Sequence, residues 1–114
     1  MKALPEIVER RIGTDAGELV LRVTAGCPWF EGHFPAHAIL PGVVQIGWAA
    51  HFAAEIFALD GGVLALERVK FKRIIEPDAL LTLQLARNGL TVRYDYRDGD
   101  LSCSSGQLRF GGTA

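Results

Sequence analysis

At 114 residues the chain fits one domain, residues 1–114, and is too short for two. Twelve Lys and Arg against 13 Asp and Glu leave a net charge of −1, which excludes a nucleic-acid binder held by bulk charge. Apolar residues make up 49% and charged residues 22%, which excludes intrinsic disorder and leaves more apolar material than so small a domain covers alone. Some of that surface is expected against a partner or a ligand.

Cys27 and Cys103 lie far apart, so neither a disulfide framework nor a zinc site is expected. Reduced thiols in a cytoplasmic compartment fit better, with no metal and no cofactor. The N-terminus lacks an apolar run of signal-peptide length. The longest apolar stretch, Ile46 to Leu59, contains His51 and Glu55 and is shorter than the roughly 20 residues that span a bilayer. Membrane insertion is therefore not expected.

The chain opens on strand material. Residues Ile7 to Ile12 read as a first strand and Asp15-Ala16-Gly17 as a turn. Glu18 to Thr24 alternates, with Leu19, Leu21 and Val23 on one face, and completes a hairpin. Residues 25–41 then change character: three prolines, two glycines, two histidines and three aromatics fall within 17 positions. Proline and glycine forbid a regular element here. Trp29, Phe30, Phe34, Ile39 and Leu40 are too apolar for a plain surface loop. This is an ordered loop with buried anchors, the kind that carries function.

A helix is expected from Pro41 to Leu59, closed by Asp60-Gly61-Gly62. It is apolar almost all round, so it reads as a central helix buried on every side. Gln45 breaks the pattern near its start, and Gly47, His51 and Glu55 share one stripe at i, i+4, i+8. A β-meander follows. Val63 to Ile75 alternates, with Arg68, Lys70 and Lys72 on one face and Arg73 beside them. Glu76-Pro77-Asp78 turns, Leu80 to Arg87 is a strand, and Asn88-Gly89 forms a hairpin turn. Leu90 to Arg97 is the next strand, Asp98-Gly99 the next turn, and Leu101 to Phe110 the last strand. Runs of strands with a single helix give an α+β domain whose sheet curls around that helix.

The densest constellation is Gly32-His33-Phe34-Pro35 followed by Leu40-Pro41-Gly42-Val43. A histidine titrates near neutrality, and here it stands on a proline-stiffened loop just before a helix N-terminus. That terminus presents free N–H groups and a partial positive charge. Gly42, lacking a side chain, lets a ligand oxygen approach its N–H. Such a pair suits removal of a proton α to a carbonyl, although a loop histidine can equally serve as a structural hydrogen-bonder.

These motifs resemble the signature of bacterial 3-hydroxyacyl-acyl-carrier-protein dehydratases: Gly32-His33-Phe34-Pro35, then Pro41-Gly42-Val43. The segment Val69 to Leu80, with its Glu76-Pro77-Asp78-Ala79 turn, resembles the family's strand–Pro-Gly-Asp–strand segment. The likeness runs ungapped across the motif and extends from about residue 17 to the end. It implies a hotdog fold, an antiparallel sheet wrapped around one long helix, working as a dimer with its active site at the interface. It implies His33 as base and the Gly42 N–H as holder of the thioester carbonyl. The acyl chain would run between subunits past Phe34, Pro35, Pro41, Val43, Gly47 and Trp48, although Trp48, like Trp29, also suits a core or interface anchor.

One position departs from the family. The second catalytic residue is a Glu or Asp fourteen residues after the histidine, and here that position is Gly47. The β-hydroxyl still needs a proton to leave. His51, one turn on, is the leading substitute, with a histidine satisfied by its own surroundings as the alternative. Gln45 could orient a water, Glu55 suits a solvent or dimer contact, and His33 could perform both steps. The run Ile39 to Trp48, ending without the carboxylate, is most similar to the dehydratase-like proteins of aryl-polyene clusters. A wider pocket at Gly47 would suit a bulky, stiff chain. The strip Arg68, Lys70, Lys72 and Arg73 could steer an acidic acyl carrier protein, or be a solvated strand face.

The expected function is dehydration of a 3-hydroxyacyl carrier-protein thioester by a homodimer or by a heterodimer with another hotdog protein. A hotdog thioesterase or hydratase is a second reading. A non-catalytic acyl-binding subunit, whose partner supplies the missing carboxylate, is a third.

Overall fold

The computed structural model describes residues 4–23 and 40–112. Its elements in chain order are β1 (Glu6–Ile12), β2 (Ala16–Arg22), α1 (Gly42–Phe57), β3 (Val63–Phe71), β4 (Leu80–Asn88), β5 (Thr91–Asp98) and β6 (Leu101–Phe110). The strands form one six-stranded sheet in the order β1-β2-β4-β5-β6-β3. Every pairing is antiparallel. The hairpin β1–β2 builds one edge, the chain crosses by α1 to the far edge as β3, and β4 to β6 fill the space between. This is the α+β domain that the element order implied, with the hotdog architecture that the family resemblance implied.

Period-2 alternation decides which side chains face inward. Leu19 and Leu21 of β2 pair with Leu83 and Leu81 of β4, and Leu83 and Leu85 pair in turn with Tyr96 and Tyr94 of β5. All of these are buried and form the wall on which Trp48, Ala49, Phe52 and Ala53 of α1 pack. Tyr94 and Tyr96 meet edge to face, with ring centroids 5.9 Å apart, a favoured aromatic geometry.

The Glu76-Pro77-Asp78 turn stands where expected, closed by Ala79 N–H donating to the Glu76 carbonyl at 3.3 Å, while the hairpin turns sit one or more residues from their expected places. Both later hairpins pair Asn88 with Thr91 and Asp98 with Leu101, so the loops are Gly89-Leu90 and Gly99-Asp100. Glycine takes the positive φ at the first loop position (63° at Gly89, 60° at Gly99), as a type II′ turn requires. In the first hairpin Ala16 and Gly17 already belong to β2, and the turn is residues 13–15, closed by Gly13 N–H donating to the Ala16 carbonyl at 2.7 Å.

β3 ends at Phe71, not Ile75. A bulge between Glu67 and Lys70 places Arg68 at φ 54°. Beyond Phe71, the N–H groups of Lys72 and Arg73 both donate to the Cys103 carbonyl, at 2.8 and 3.0 Å, and pull the chain out of the ladder. The helix is also shorter than expected. It closes at Ala58, in the left-handed region at φ 53°, and Leu59 N–H returns to the Ala54 carbonyl at 3.0 Å.

The expectation of a helix buried all round is corrected in the single chain. One stripe is buried, while Ile46, Gly47, Ala50, His51 and Ala54 are half-buried and Val43 is 76% exposed. At the far sheet edge Leu64 is 72% and Leu66 49% exposed, although Leu66 pairs with buried Leu108. Exposed apolar side chains thus stand on α1 and on the edge strand β3, and also on β1, where Val8 and Ile12 are about half exposed.

Candidate active site

α1 begins without a side-chain cap. Pro41 stands at the N-cap position with φ −60° and ψ 144°, and no acidic residue falls in the first turn. The Pro41 carbonyl accepts from the N–H groups of Val44 and Gln45, at 3.1 and 3.2 Å. Gly42 and Val43 are left as first-turn donors with no acceptor inside the helix. Their partial positive charge is not offset by any carboxylate of that turn.

Gly42 opens onto a cleft of about 340 Å³ lined by Leu40, Gly42, Gln45, Phe71, Lys72, Arg73 and Ile74. The side that a Gly42 side chain would occupy is taken by the Phe71 ring, whose Cζ lies 2.6 Å from where a Cβ would stand. Two cationic residues at the rim reinforce the helix terminus. The arrangement suits a carbonyl oxygen or anion meeting a backbone N–H.

Gln45, expected to orient a water, has its side chain committed elsewhere. It is buried, and its Nε2 donates to the Leu40 carbonyl at 3.0 Å. Its Oε1 accepts from Ser104 Oγ at 2.7 Å. Its backbone carbonyl accepts from Tyr96 Oη, also at 2.7 Å. Burial, with the neighbouring Tyr94 adding to it, pushes the Tyr96 hydroxyl well above its ordinary range, so it stays protonated and donates. Burial likewise raises the Cys103 thiol, with Asp98 a smaller cause, and this cysteine is free and buried.

The C-terminal end of the stripe Gly47, His51, Glu55 reaches β1 through Glu55. His51 Nε2 lies 3.8 Å from Glu55 Oε2, and Arg10 Nη1 donates to Glu55 Oε1 at 3.3 Å. Glu55 thus bridges helix and edge strand. His51 also meets Phe52 edge to face, with centroids 5.3 Å apart. Gly42 and His51 are nine residues apart, which in an α-helix is about 13.5 Å of rise and about two and a half turns, so they sit on opposite faces. One chain does not bring them together.

The basic strip divides. Arg68, Lys70 and Lys72 line a cleft of about 420 Å³ together with Arg93 and Asp95 of β5. Arg73, expected beside them, lines the Gly42 cleft instead, and Lys72 borders both. Lys72 Nζ donates to Ser102 Oγ at 3.3 Å, and Ser102 donates to Asp95 at 2.6 Å. Asp95 also holds Arg97 at 2.9 Å, so the acid in this cleft is already partnered.

Trp48 is fully buried in the core, Pro41 is half-buried and Val43 faces out from the single chain. His33, Phe34 and Pro35, with Cys27, Trp29, Phe30 and His37, lie in residues 24–39, outside the described residues. Among the described residues, no three His, Cys, Asp or Glu side chains cluster as metal ligands would, and no helix is long and apolar enough to cross a membrane. Sequence reasoning missed Ser104, Tyr96 and Phe71, whose roles arise only from cross-strand placement. It also missed Arg93, whose signal was its outward register on β5.

Known proteins resemble this chain in sequence and in fold. The ApeI-like dehydratase family matches residues 9–107. The 3-hydroxyacyl-[acyl-carrier-protein] dehydratase FabZ of Rickettsia akari is 33% identical over 82 residues, 62% of this chain and 57% of that relative's length. The chain thus spans little more than half of that protein. The FabZ of Syntrophotalea carbinolica is 31% identical over 123 residues, covering 89% of this chain and 84% of the relative. Among solved structures, the dehydratase heterocomplex ApeI:P from Xenorhabdus doucetiae superposes with a TM-score of 0.84 at 31% identity, over 98% of this chain and 100% of that one. An uncharacterised Erwinia carotovora protein superposes at 0.76 with 29% identity, over 97% of each chain. On the match over residues 9–107 and the shared fold, the chain belongs to the ApeI-like branch of the hotdog dehydratases.

Proposed function

We propose that the chain dehydrates a 3-hydroxyacyl thioester carried on an acyl carrier protein, giving the trans-2-enoyl thioester and water. The observation that carries this reading is the uncapped, glycine-led helix N-terminus opening onto a cleft rimmed by Lys72 and Arg73. His33 takes the C2 proton. The electrons of that C–H bond become the C2=C3 double bond as the C3–O bond breaks. Charge building on the carbonyl oxygen meets the Gly42 N–H. The departing hydroxyl takes a proton from His51, which replaces the carboxylate absent at Gly47, and leaves as water. His33 then releases its proton to solvent and His51 takes one back from solvent, so the cycle balances without a cofactor.

Donor and acid about two and a half helical turns apart on one chain cannot serve one substrate, so they come from two chains of a dimer. The exposed apolar faces of α1 and β3 support that assembly. The acyl chain runs between subunits past Phe34, Pro35, Pro41, Val43 and Gly47, with Trp48 backing the wall from the core. It is a fatty-acid-like chain or the stiff aryl polyene that the resemblance implies. The strip Arg68, Lys70, Lys72 and Arg73 steers the acidic carrier protein in a cytoplasmic setting.

A second reading is favoured by the neighbour described as a dehydratase heterocomplex and by Gly47 itself. In it, this chain pairs with another hotdog protein that supplies the carboxylate. The test is mass spectrometry of a 3-hydroxyacyl carrier thioester incubated with the purified chain. Loss of water that disappears in His33→Ala supports the dehydratase. Free thiol supports a thioesterase. An unchanged substrate supports the partner-subunit reading.

A further inference from the structure

We infer that Gln45 is a positioning residue that aims the Gly42 N–H at the thioester carbonyl. This rests on the reading of Gly42 as carbonyl donor given above. The Gly42 N–H belongs to the peptide between Pro41 and Gly42, and Gln45 grips that peptide and the one before it. Its backbone N–H donates to the Pro41 carbonyl at 3.2 Å, and its side-chain Nε2 donates to the Leu40 carbonyl at 3.0 Å. Leu40 is held from its other side as well, its N–H donating to the Ile75 carbonyl at 2.8 Å.

Proline makes this grip effective. Its ring fixes φ, here −60°, so orienting the Leu40–Pro41 peptide leaves only the Pro41 ψ to set the direction of the next N–H. The Gln45 amide is in turn fixed by Ser104 Oγ at 2.7 Å, and its backbone carbonyl by Tyr96 Oη. Strands β5 and β6 thereby set the aim of a donor on α1. Gln45 is 3% exposed, so its amide is desolvated and committed. A buried amide exchanged for an apolar side chain strands the Leu40 carbonyl and Ser104 hydroxyl that it satisfies. Pre-aimed donors gain their effect from fixed geometry, and a small misplacement is costly.

The test uses the full chain in its dimeric assembly with a trans-2-enoyl pantetheine thioester carrying a ¹³C carbonyl. Infrared difference spectra read the polarisation of the bound carbonyl directly. The wild type is expected to lower the carbonyl stretch relative to the free ester. Gln45→Met, of similar volume, is expected to lose most of that shift and to lower kcat by about tenfold, with KM within about twofold. Ser104→Ala is expected to fall between. A folded Gln45→Met with the wild-type shift and kcat overturns the inference, whatever its melting temperature. A wild type with no shift overturns the Gly42 reading instead. Should Gln45→Met not fold, Ser104→Ala decides by the same two readouts.

Discussion

The Phe71 ring occupies the place where Gly42 would carry a side chain, its Cζ and Cε1 lying 2.6 and 2.8 Å from an ideal Cβ. The ring belongs to the end of β3, where Phe71 pairs with buried Ser104 just beyond the Arg68 bulge. Gly42→Ala must therefore displace the ring. Phe71 is 54% exposed and free to yield, so the stability loss should stay near the lower end of the overpacking range, about 1 kcal/mol. The displaced ring crowds the cleft, and turnover should fall about tenfold or more. Gly42→Ala combined with Phe71→Ala should recover the melting temperature lost in the single variant. Thermal melts and enoyl-formation rates check both expectations.

The outer cleft gathers Arg68, Lys70, Lys72 and Arg93 around an Asp95 already engaged by Arg97 and Ser102. Charge of this kind acts mainly on encounter rates and is screened over about 8 Å at physiological salt. Lys70→Glu should raise KM severalfold for a carrier-protein thioester and leave a pantetheine thioester unaffected. Lys72→Glu should weaken both substrates, because Lys72 also borders the Gly42 cleft. Steady-state kinetics at two salt concentrations check this, and equal effects of Lys70→Glu on both substrates would remove the docking role.

Tyr96 couples the helix to alkaline stability. Its hydroxyl is held protonated by burial in the folded chain, while the unfolded chain ionises it near pH 10. Above that pH the folded state retains more protons than the unfolded state, so stability is intact below about pH 10 and falls as pH rises beyond it. Tyr96→Phe should lose about 1 kcal/mol at neutral pH through the bond to the Gln45 carbonyl. It should also show a shallower decline above pH 10. Urea unfolding midpoints from pH 8 to 11 give both slopes.

Ala58 closes α1 in a left-handed conformation at φ 53°, where glycine is the usual residue. A Cβ in that region costs about 1 kcal/mol. Ala58→Gly should therefore stabilise the chain by about 0.5 kcal/mol after the entropy of the unfolded glycine is offset, raising Tm by a few degrees. A Tm below that of the wild type would show that Ala58 contributes packing that outweighs its strain.

What was legible in the sequence was local. The alternation of Leu19 with Leu21 and of Tyr94 with Tyr96 marks inward positions because the strand period is set by the backbone alone. The bulge at Arg68 and the exit of Lys72 and Arg73 onto the Cys103 carbonyl are tertiary events. They moved the end of β3 and parted Arg73 from the strip. The hairpin glycines slipped by a position because Asn88 and Asp98 finish the ladder before the chain turns. Gln45 stood out as polar in an apolar turn, yet its meaning waited on Ser104, 59 residues away. Gly47 was legible as a departure from the resembled family, whose pattern puts a carboxylate fourteen residues after the histidine.

The edge strand β3 carries the last expectation. Its outer side pairs with no strand of the described chain, and Leu64 and Leu66 on it are exposed. Unpaired N–H and C=O groups next to exposed apolar side chains make a template for a second chain. A two-chain assembly across this edge should bury Leu66 and bring a partner to the half-buried stripe of Gly47 and His51. Leu66→Lys places a charge there, and desolvating an unpaired ammonium is costly enough to split the assembly. In sedimentation experiments the wild type should run as a dimer and Leu66→Lys as a monomer. If donor and acid come from separate chains, as proposed, the monomer should also lose turnover while keeping its far-ultraviolet spectrum. A dimeric Leu66→Lys would place the interface elsewhere.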